Sequence, residues 1–573
     1  MINNFKESID KSRRRFLGAV IAGAVTIGAG VIGYELGREF IKCPSCPPCP
    51  ATSSAECSCP ACPPQSIPQG FDYIVFPSNG NYNVMNSSGS VIYQSSNPGG
   101  AINYVVSQLS GKGGRVLIRS GVYTCSSYPC VTINNTSSSG TPGLLIIEGE
   151  DPVGVIFTVG NGVASSSSQG GLIVISGEFV WLRRLSINGN LGSNAYSVGN
   201  QFNVLVNNAS HVWIDTIYSS NGPGAVGVLN SSSIVVSNVT SDGDAVGAYV
   251  GNSNTVLISY SSFRNSANYG VGIYSSSTVA VSNISIIDAQ TGVLINSSDA
   301  LIDSGTIDFV NVSGNYGINV TIKTSGYEVI IMNTVIRGSV ANTIAAVINM
   351  QGRLGIENSI IVGGSLSTLN ISSTPGLGAE LVIINTQFTD KNTTTSSYPY
   401  TVSGVDSIEL INNAFIFGNA ASNMNGLNIG NAKYLVLRGN LINGYSTGIN
   451  INNCDSAYMY DNYFSNVATP VNYSNVSLMY AVRNIGWIPT VTTPLMPGSG
   501  TTTTNNYPVP VTVCLYGGSV TQVTVTKGNQ SITAFQSLTG QAINGECFIL
   551  DPGDSITVMY TQPPNWAWIP LTS

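Results

Sequence analysis

Four ionisable residues stand out by type and spacing: Asp242 and Asp244 in "SDGDAVG", then Arg264 and Asp288. Two carboxylates flanking a glycosidic bond can serve as general acid and base, and an inverting pair stands roughly 6.5–9.5 Å apart to admit a water. An arginine between them would pair with a uronate, and the carboxylates together would hold Ca²⁺. Asn268, Tyr269 and Tyr316 lie near comparable points in the sequence and offer an amide and flat rings to a sugar. A plainer reading competes, since two aspartates around a glycine commonly make a turn and cap its N–H groups. The choice depends on what positions these side chains.

The surrounding sequence is repetitive. "VGVLNSSSIVVSNVTSDGDA", "VGAYVGNSNTVLISYSSFRNSANYG", "VGIYSSSTVAVSNISIIDAQT" and "GVLINSSDALIDSGTIDFVNVSGNY" each hold short β-branched runs separated by Asn, Ser and Gly. A period of about 20–27 residues suits stacked coils of parallel strands, because one coil cannot bury its apolar side alone. Asparagines after the strands fit internal turns in which their amides satisfy one another. Stacking at about 4.8 Å per coil would set Asp242 and Asp244, Arg264 with Asn268 and Tyr269, Asp288, and Tyr316 in one column. Carboxylates two coils apart would then be about 9–10 Å from each other. Asp299, Asp303 and Asp308 form a weaker acidic group.

The entry to the repeats is "GGAINYVVSQLSGKGGRVLIRSGVYTCSS", residues 99–127. It reads as an amphipathic helix over Ala101–Leu109, a glycine turn, a strand at Arg115–Arg119 and an "SGVY" turn. This entry, with the repeats behind it, resembles the right-handed parallel β-helix, or pectin-lyase-like, family. The resemblance implies that the helix caps the open end of the coil. It also implies a fold shared by lyases, hydrolases, adhesins and viral tailspikes, so function must be argued from the site. Hydrolases of this fold carry paired aspartates and a Gly-His-Gly segment, whereas this chain has one histidine, His211 in "NASHVWIDTIY", which reads as a turn residue. In pectate lyases an arginine abstracts a proton, the role the resemblance would give Arg264.

At the N-terminus, Ser12-Arg13-Arg14-Arg15-Phe16-Leu17 resembles a twin-arginine export signal, and a run without charged side chains follows from Phe16 to Tyr34. About 19 helical residues at 1.5 Å each would cross a hydrocarbon core. The preceding basic residues place the N-terminus inside, and no small-residue cleavage site closes the run. The expectation is an uncleaved single-pass anchor in the cell membrane, with the bulk of the chain outside. Sequons such as Asn86, Asn208, Asn238, Asn283, Asn319 and Asn475 would then be glycan acceptors.

Only 9% of residues are charged and the net charge is −7, which argues against a nucleic-acid partner. Six of the eleven cysteines, Cys43, Cys46, Cys49, Cys57, Cys59 and Cys62, lie in a proline-rich stalk. Outside the cell they would cross-link the stalk, joining copies into a homo-oligomer, with a metal or iron–sulfur site as the sharper alternative. Cys125 with Cys130 and Cys514 with Cys547 read as local disulfides, leaving Cys454 as a buried thiol.

The chain therefore divides into a cytoplasmic basic tail, signal and anchor (1–42), a Cys/Pro stalk (43–69), a capped β-helix (70–486), a Thr/Pro linker (487–507) and a small antiparallel β-sandwich (508–573). Trp566 and Trp568 are two apart on one strand face, either as core or as an exposed platform for a sugar. The fold class is all-β, a right-handed parallel β-helix with an N-terminal transmembrane helix. The leading function is a membrane-anchored surface module that binds glycan without a cofactor. A polysaccharide hydrolase or lyase using Asp242, Asp244 and Arg264, with Ca²⁺ as its candidate metal, is the first rival. A virion spike for host attachment is the second.

Overall fold

A computed structural model describes residues 70–163, 170–194, 196, 200–309, 316–322, 326–338, 349–350, 352–363, 368–390, 398–417 and 424–571. The expected signal, anchor and stalk lie outside these residues. No helix among the described residues is long and apolar enough to cross a membrane. The described chain is almost wholly β, a parallel β-solenoid followed by a separate antiparallel sheet. Its contacts divide it into two units. One ends at Gln290 and takes in Ser298–Leu301, while the other comprises Thr291–Ser297 and continues from Ile302.

The first unit opens with an antiparallel meander over Tyr73–Ser78, Asn81–Asn86 and Val91–Ser95. The cap helix follows as Pro98–Leu109, three residues longer at its start than expected because Asn97 caps it and accepts from the Gly99 N–H at 2.9 Å. Ala101, Ile102, Val105, Val106 and Leu109 are buried beneath it. The first coil strand is Gly114–Ile118, and Tyr123 of the "SGVY" turn is fully buried with its hydroxyl donating to Arg119 O at 2.7 Å. The disulfide Cys125–Cys130 is formed nearby.

Beyond the cap, parallel strands stack in register. Val204 pairs with Val226, Val226 with Ala248, and Ala248 with Val271, all inward-facing. A second inward row runs Val212, Ile234, Val256, Val279. The turns between sheets require left-handed backbone, and Asn208, Asn230 and Asn252 supply it with φ near 50°. Buried serines tie coil to coil. Ser231, Ser253 and Ser276 each donate an N–H to the hydroxyl of the next ladder serine at 3.0–3.1 Å, with spacings of 22 or 23 residues.

In the second unit Ser359 still accepts from the Thr334 N–H, and from Thr386 onward asparagine replaces serine in this role. The N–H groups of Asn413, Asn440 and Asn462 donate to the side-chain oxygens of Asn440, Asn462 and Asn484 at 3.0–3.1 Å. Their amide nitrogens donate to carbonyl oxygens inside the coil, Asn440 to Leu410 O at 2.8 Å. Asn440 is 2% exposed, so no water replaces these bonds. Asn440→Ala leaves the buried Asn413 N–H without its acceptor and removes the amide's bond to Leu410 O, and is expected to destabilise the fold by about 1–3 kcal/mol. The thermal midpoint should fall clearly below that of Asn453→Ala, whose exposed side chain makes a similar stack. Equal midpoints would refute the ladder's energetic role.

The C-terminal sheet has five antiparallel strands: Thr502–Thr504, Val511–Lys527, Gln530–Leu550, Ser555–Gln562 and Asn565–Pro570. Cys514 and Cys547 face each other across neighbouring strands and are bonded. The Thr/Pro stretch expected as a linker packs against this sheet. Pro494 O accepts from the Trp566 indole N–H at 2.7 Å, and Val491, Met496 and Tyr507 lie on the sheet's core. Trp566 and Trp568 are 7% and 4% exposed within that core. The reading of these tryptophans as an exposed sugar platform is therefore corrected: a small sheet needs its largest apolar side chains to build any core at all.

Candidate functional site

The structure keeps part of the expected column and takes part of it away. Asp242 ends the strand Ser232–Asp242 and is paired in register with Arg264, which ends Ser262–Arg264 on the next coil. Both are exposed. The Asp242 carboxylate accepts from the Asn265 amide at 2.7 Å. Arg264 in turn pairs with Ile287, so Asp288 falls one step further, in the turn column that also holds Asn221, Gly243 and Asn265, all at positive φ. An aspartate there serves the backbone, since Asp and Asn tolerate the left-handed region.

Asp244 is removed from any substrate. It is 0% exposed and clasps the turn of the previous coil, accepting from the Gly222 N–H at 2.6 Å and the Ser241 hydroxyl at 2.7 Å. Burial pushes its pKa up to about 6, against these hydrogen bonds, with the Asp242 charge adding slightly. The expected catalytic partnership of Asp242 with Asp244 is thereby corrected, because past Gly243 (φ +73°) the chain swings the second carboxylate inward.

Tyr269, expected to bind a ligand, begins the strand Tyr269–Tyr274 and belongs to a patch of half-buried rings. Tyr249 stacks on Tyr274 with centroids 5.2 Å apart, and Tyr269 lies 6.5 Å from Tyr249 and 6.4 Å from Tyr274. Gly272 makes room for them, since a Cβ there would stand 2.6 Å from the Tyr269 ring. Burial raises the pKa of all three phenols, so each stays a neutral hydroxyl at physiological pH. Asn268 is half-buried beside the patch, its backbone N–H donating to Ala245 O at 2.9 Å. Tyr316 is half-buried in the second unit, where it pairs with Thr291.

Sequence reasoning missed a cleft in the first unit. It encloses about 630 Å³ and is lined by Asn134, Thr136, Ser176, Glu178, Asn208 and Ser210 among others. Asn134 pairs in register with Ser176, and Glu178 with Ser210, so three successive coils contribute hydroxyl, amide and carboxylate groups. Next to Glu178 and Ser210, the rings of Phe179 and His211 stack at 4.7 Å and 6°. His211 sits at φ 54°, a turn position as expected, with Nδ1 3.3 Å from the Ser210 hydroxyl. The only advance signal was Asn208, noted as a sequon. Among the described residues, no group of three His, Cys, Asp or Glu side chains could hold a metal ion.

No family model matches the chain, and no curated protein matches it. Among solved structures it is similar to a mannuronan C-5 epimerase A-module from Azotobacter vinelandii, with TM-score 0.39 and 13% identity over 69% of this chain and 96% of that one. It is also similar to the catalytic domain of a GH87 alpha-1,3-glucanase in complex with tetrasaccharides, with TM-score 0.39 and 13% identity over 72% of this chain and 67% of that one. A third is an endo-xylogalacturonan hydrolase from Aspergillus tubingensis, with TM-score 0.36 and 15% identity over 63% of this chain and 95% of that one.

Proposed function

We propose that this β-solenoid is a surface-displayed glycan-binding protein that holds polysaccharide in the cleft of its first unit without cutting it. The observation that carries the reading is the lining of that cleft, whose amides and hydroxyls match sugar hydroxyls and whose Glu178 is the sole carboxylate among the lining groups. Hydrolysis by acid and base needs two carboxylates about the scissile bond. A single carboxylate with neutral donors suits recognition, and the Phe179–His211 stack beside the cleft offers a ring face for a pyranose. The tyrosine patch around Tyr269 would make a second contact along the same chain. In this reading the N-terminal segment anchors the protein in the cell membrane, the stalk holds the solenoid clear of it, and neither metal nor cofactor is used.

The test is retention of the full chain, in detergent, on a panel of neutral and acidic polysaccharides, with and without Ca²⁺. Retention on one of them, without release of reducing ends, is the expected outcome. Retention on none would end the proposal. New reducing ends or unsaturated uronates that vanish in an Asp242→Ala/Arg264→Ala variant would establish the hydrolase or lyase alternative instead.

A further inference from the structure

Two of the asparagines that line the cleft also open acceptor sequences for N-linked glycan. Asn134-Asn135-Thr136 and Asn208-Ala209-Ser210 both fit the Asn-x-Ser/Thr pattern. Asn134 and Asn208 are exposed, while the residue after each, Asn135 or Ala209, is buried. Their coils flank the one that carries Ser176 and Glu178, so two coil steps separate them, about 9–10 Å. Neither side-chain amide is hydrogen-bonded among the described residues. Other exposed acceptor asparagines commit this group to the fold. Asn238 Nδ2 donates to Asp215 Oδ1 at 2.7 Å, and Asn475 Nδ2 to Asn453 Oδ1 at 2.9 Å. The amide nitrogen is the atom that a glycan attaches to, and at the cleft the coils leave it unused.

We infer that Asn134 and Asn208 carry N-linked glycans, and that the pair narrows the cleft between them to an unbranched polysaccharide strand. The selectivity rests on the glycan-binding reading above, whereas the modification does not. In the transfer, the amide nitrogen attacks the anomeric carbon of an oligosaccharide held on a lipid phosphate. The C–N bond forms, the C–O bond to phosphate breaks with its electron pair staying on the lipid phosphate, and one amide proton leaves with it. An amide already donating to a neighbour must give up that bond and turn before it reacts, which favours Asn134 and Asn208 over Asn238. An attached glycan is bulky and stays in water. Two of them on either side of the exposed Glu178 leave it open to a strand that passes between them and obstruct any side branch.

The experiment uses the full chain isolated in detergent from its natural source, beside an Asn134→Gln/Asn208→Gln variant produced there. Mass spectrometry of proteolytic peptides should show an added sugar mass at Asn134 and Asn208 in the parent, and little or none at Asn238. Both additions should be lost in the variant, and a cooperative melting curve would verify that it folds. Linear mannan and linear xylan should be retained alike by the two proteins. Galactomannan and arabinoxylan, the same backbones with side branches, should be held about tenfold more tightly by the variant than by the parent. An unmodified Asn134 or Asn208, or equal occupancy at Asn238, would overturn the modification. Branched chains held equally by both proteins would overturn the selectivity and leave the glycan-binding reading standing. Retention of neither backbone by the variant would overturn the selectivity too, while the reading itself falls only with the whole polysaccharide panel.

Discussion

Glu178→Ala should weaken polysaccharide retention about tenfold or more, with little change in the thermal midpoint. A hydrogen bond to a charged group contributes about 1.5–3 kcal/mol when it is shielded, and tenfold corresponds to about 1.4 kcal/mol. Glu178 is exposed at the cleft, so the lower end of that range applies and the fold does not depend on it. The isosteric Glu178→Gln separates charge from shape. If it binds neutral glycans like the parent, the carboxylate acts there only as an acceptor. If binding falls as in Glu178→Ala, the charge itself is used. Unchanged retention in both variants would move the site out of the cleft, and Tyr269→Ala would then test the tyrosine patch.

Asp244→Asn should stabilise the protein at neutral pH and do nothing of the kind in acid. The carboxyl is fully buried and its pKa is pushed from the usual 3.8 to about 6. A raised folded-state pKa means that the folded protein binds the proton more tightly than the unfolded chain. The associated stability is fully present below about pH 4 and is lost as pH rises through about 6. At pH 7 the buried charge therefore costs about 1–3 kcal/mol, which an amide avoids while still accepting from Gly222. Melting curves of parent and variant at pH 4 and pH 7 check this. A variant less stable than the parent at pH 7 would show that the charged hydrogen bonds outweigh desolvation. A catalytic base would also lose activity in this variant, whereas glycan retention should survive it.

Much of the architecture was legible. The repeat period, the cap helix and the Cys125–Cys130 disulfide depend on local signals. A β-branched run favours a strand, asparagine tolerates the left-handed turn, and nearby cysteines pair when the turn between them is short. The pairing of Asp242 with Arg264 was legible too, because register follows from counting residues per coil. The facing of individual side chains was not. Asp242 and Asp244 look equivalent in "SDGDAVG", yet one is exposed and the other is at 0%. Trp566 and Trp568 share a strand face as expected, but whether that face is covered depended on the Thr/Pro stretch packing back over it.

By itself the sequence determined an all-β chain of stacked coils with internally bonded Asn turns, because those features rest on the periodicity and backbone preferences of short segments. Tertiary structure alone decided that Asp244 holds a turn, that Glu178 lines a cleft, and that Asn134 and Asn208 stand beside it. The physical reason is common to all three. Burial and concavity come from segments brought together by the fold, here 134–142, 176–178 and 208–210 for the cleft. No local pattern in any one of them records what the others will place beside it.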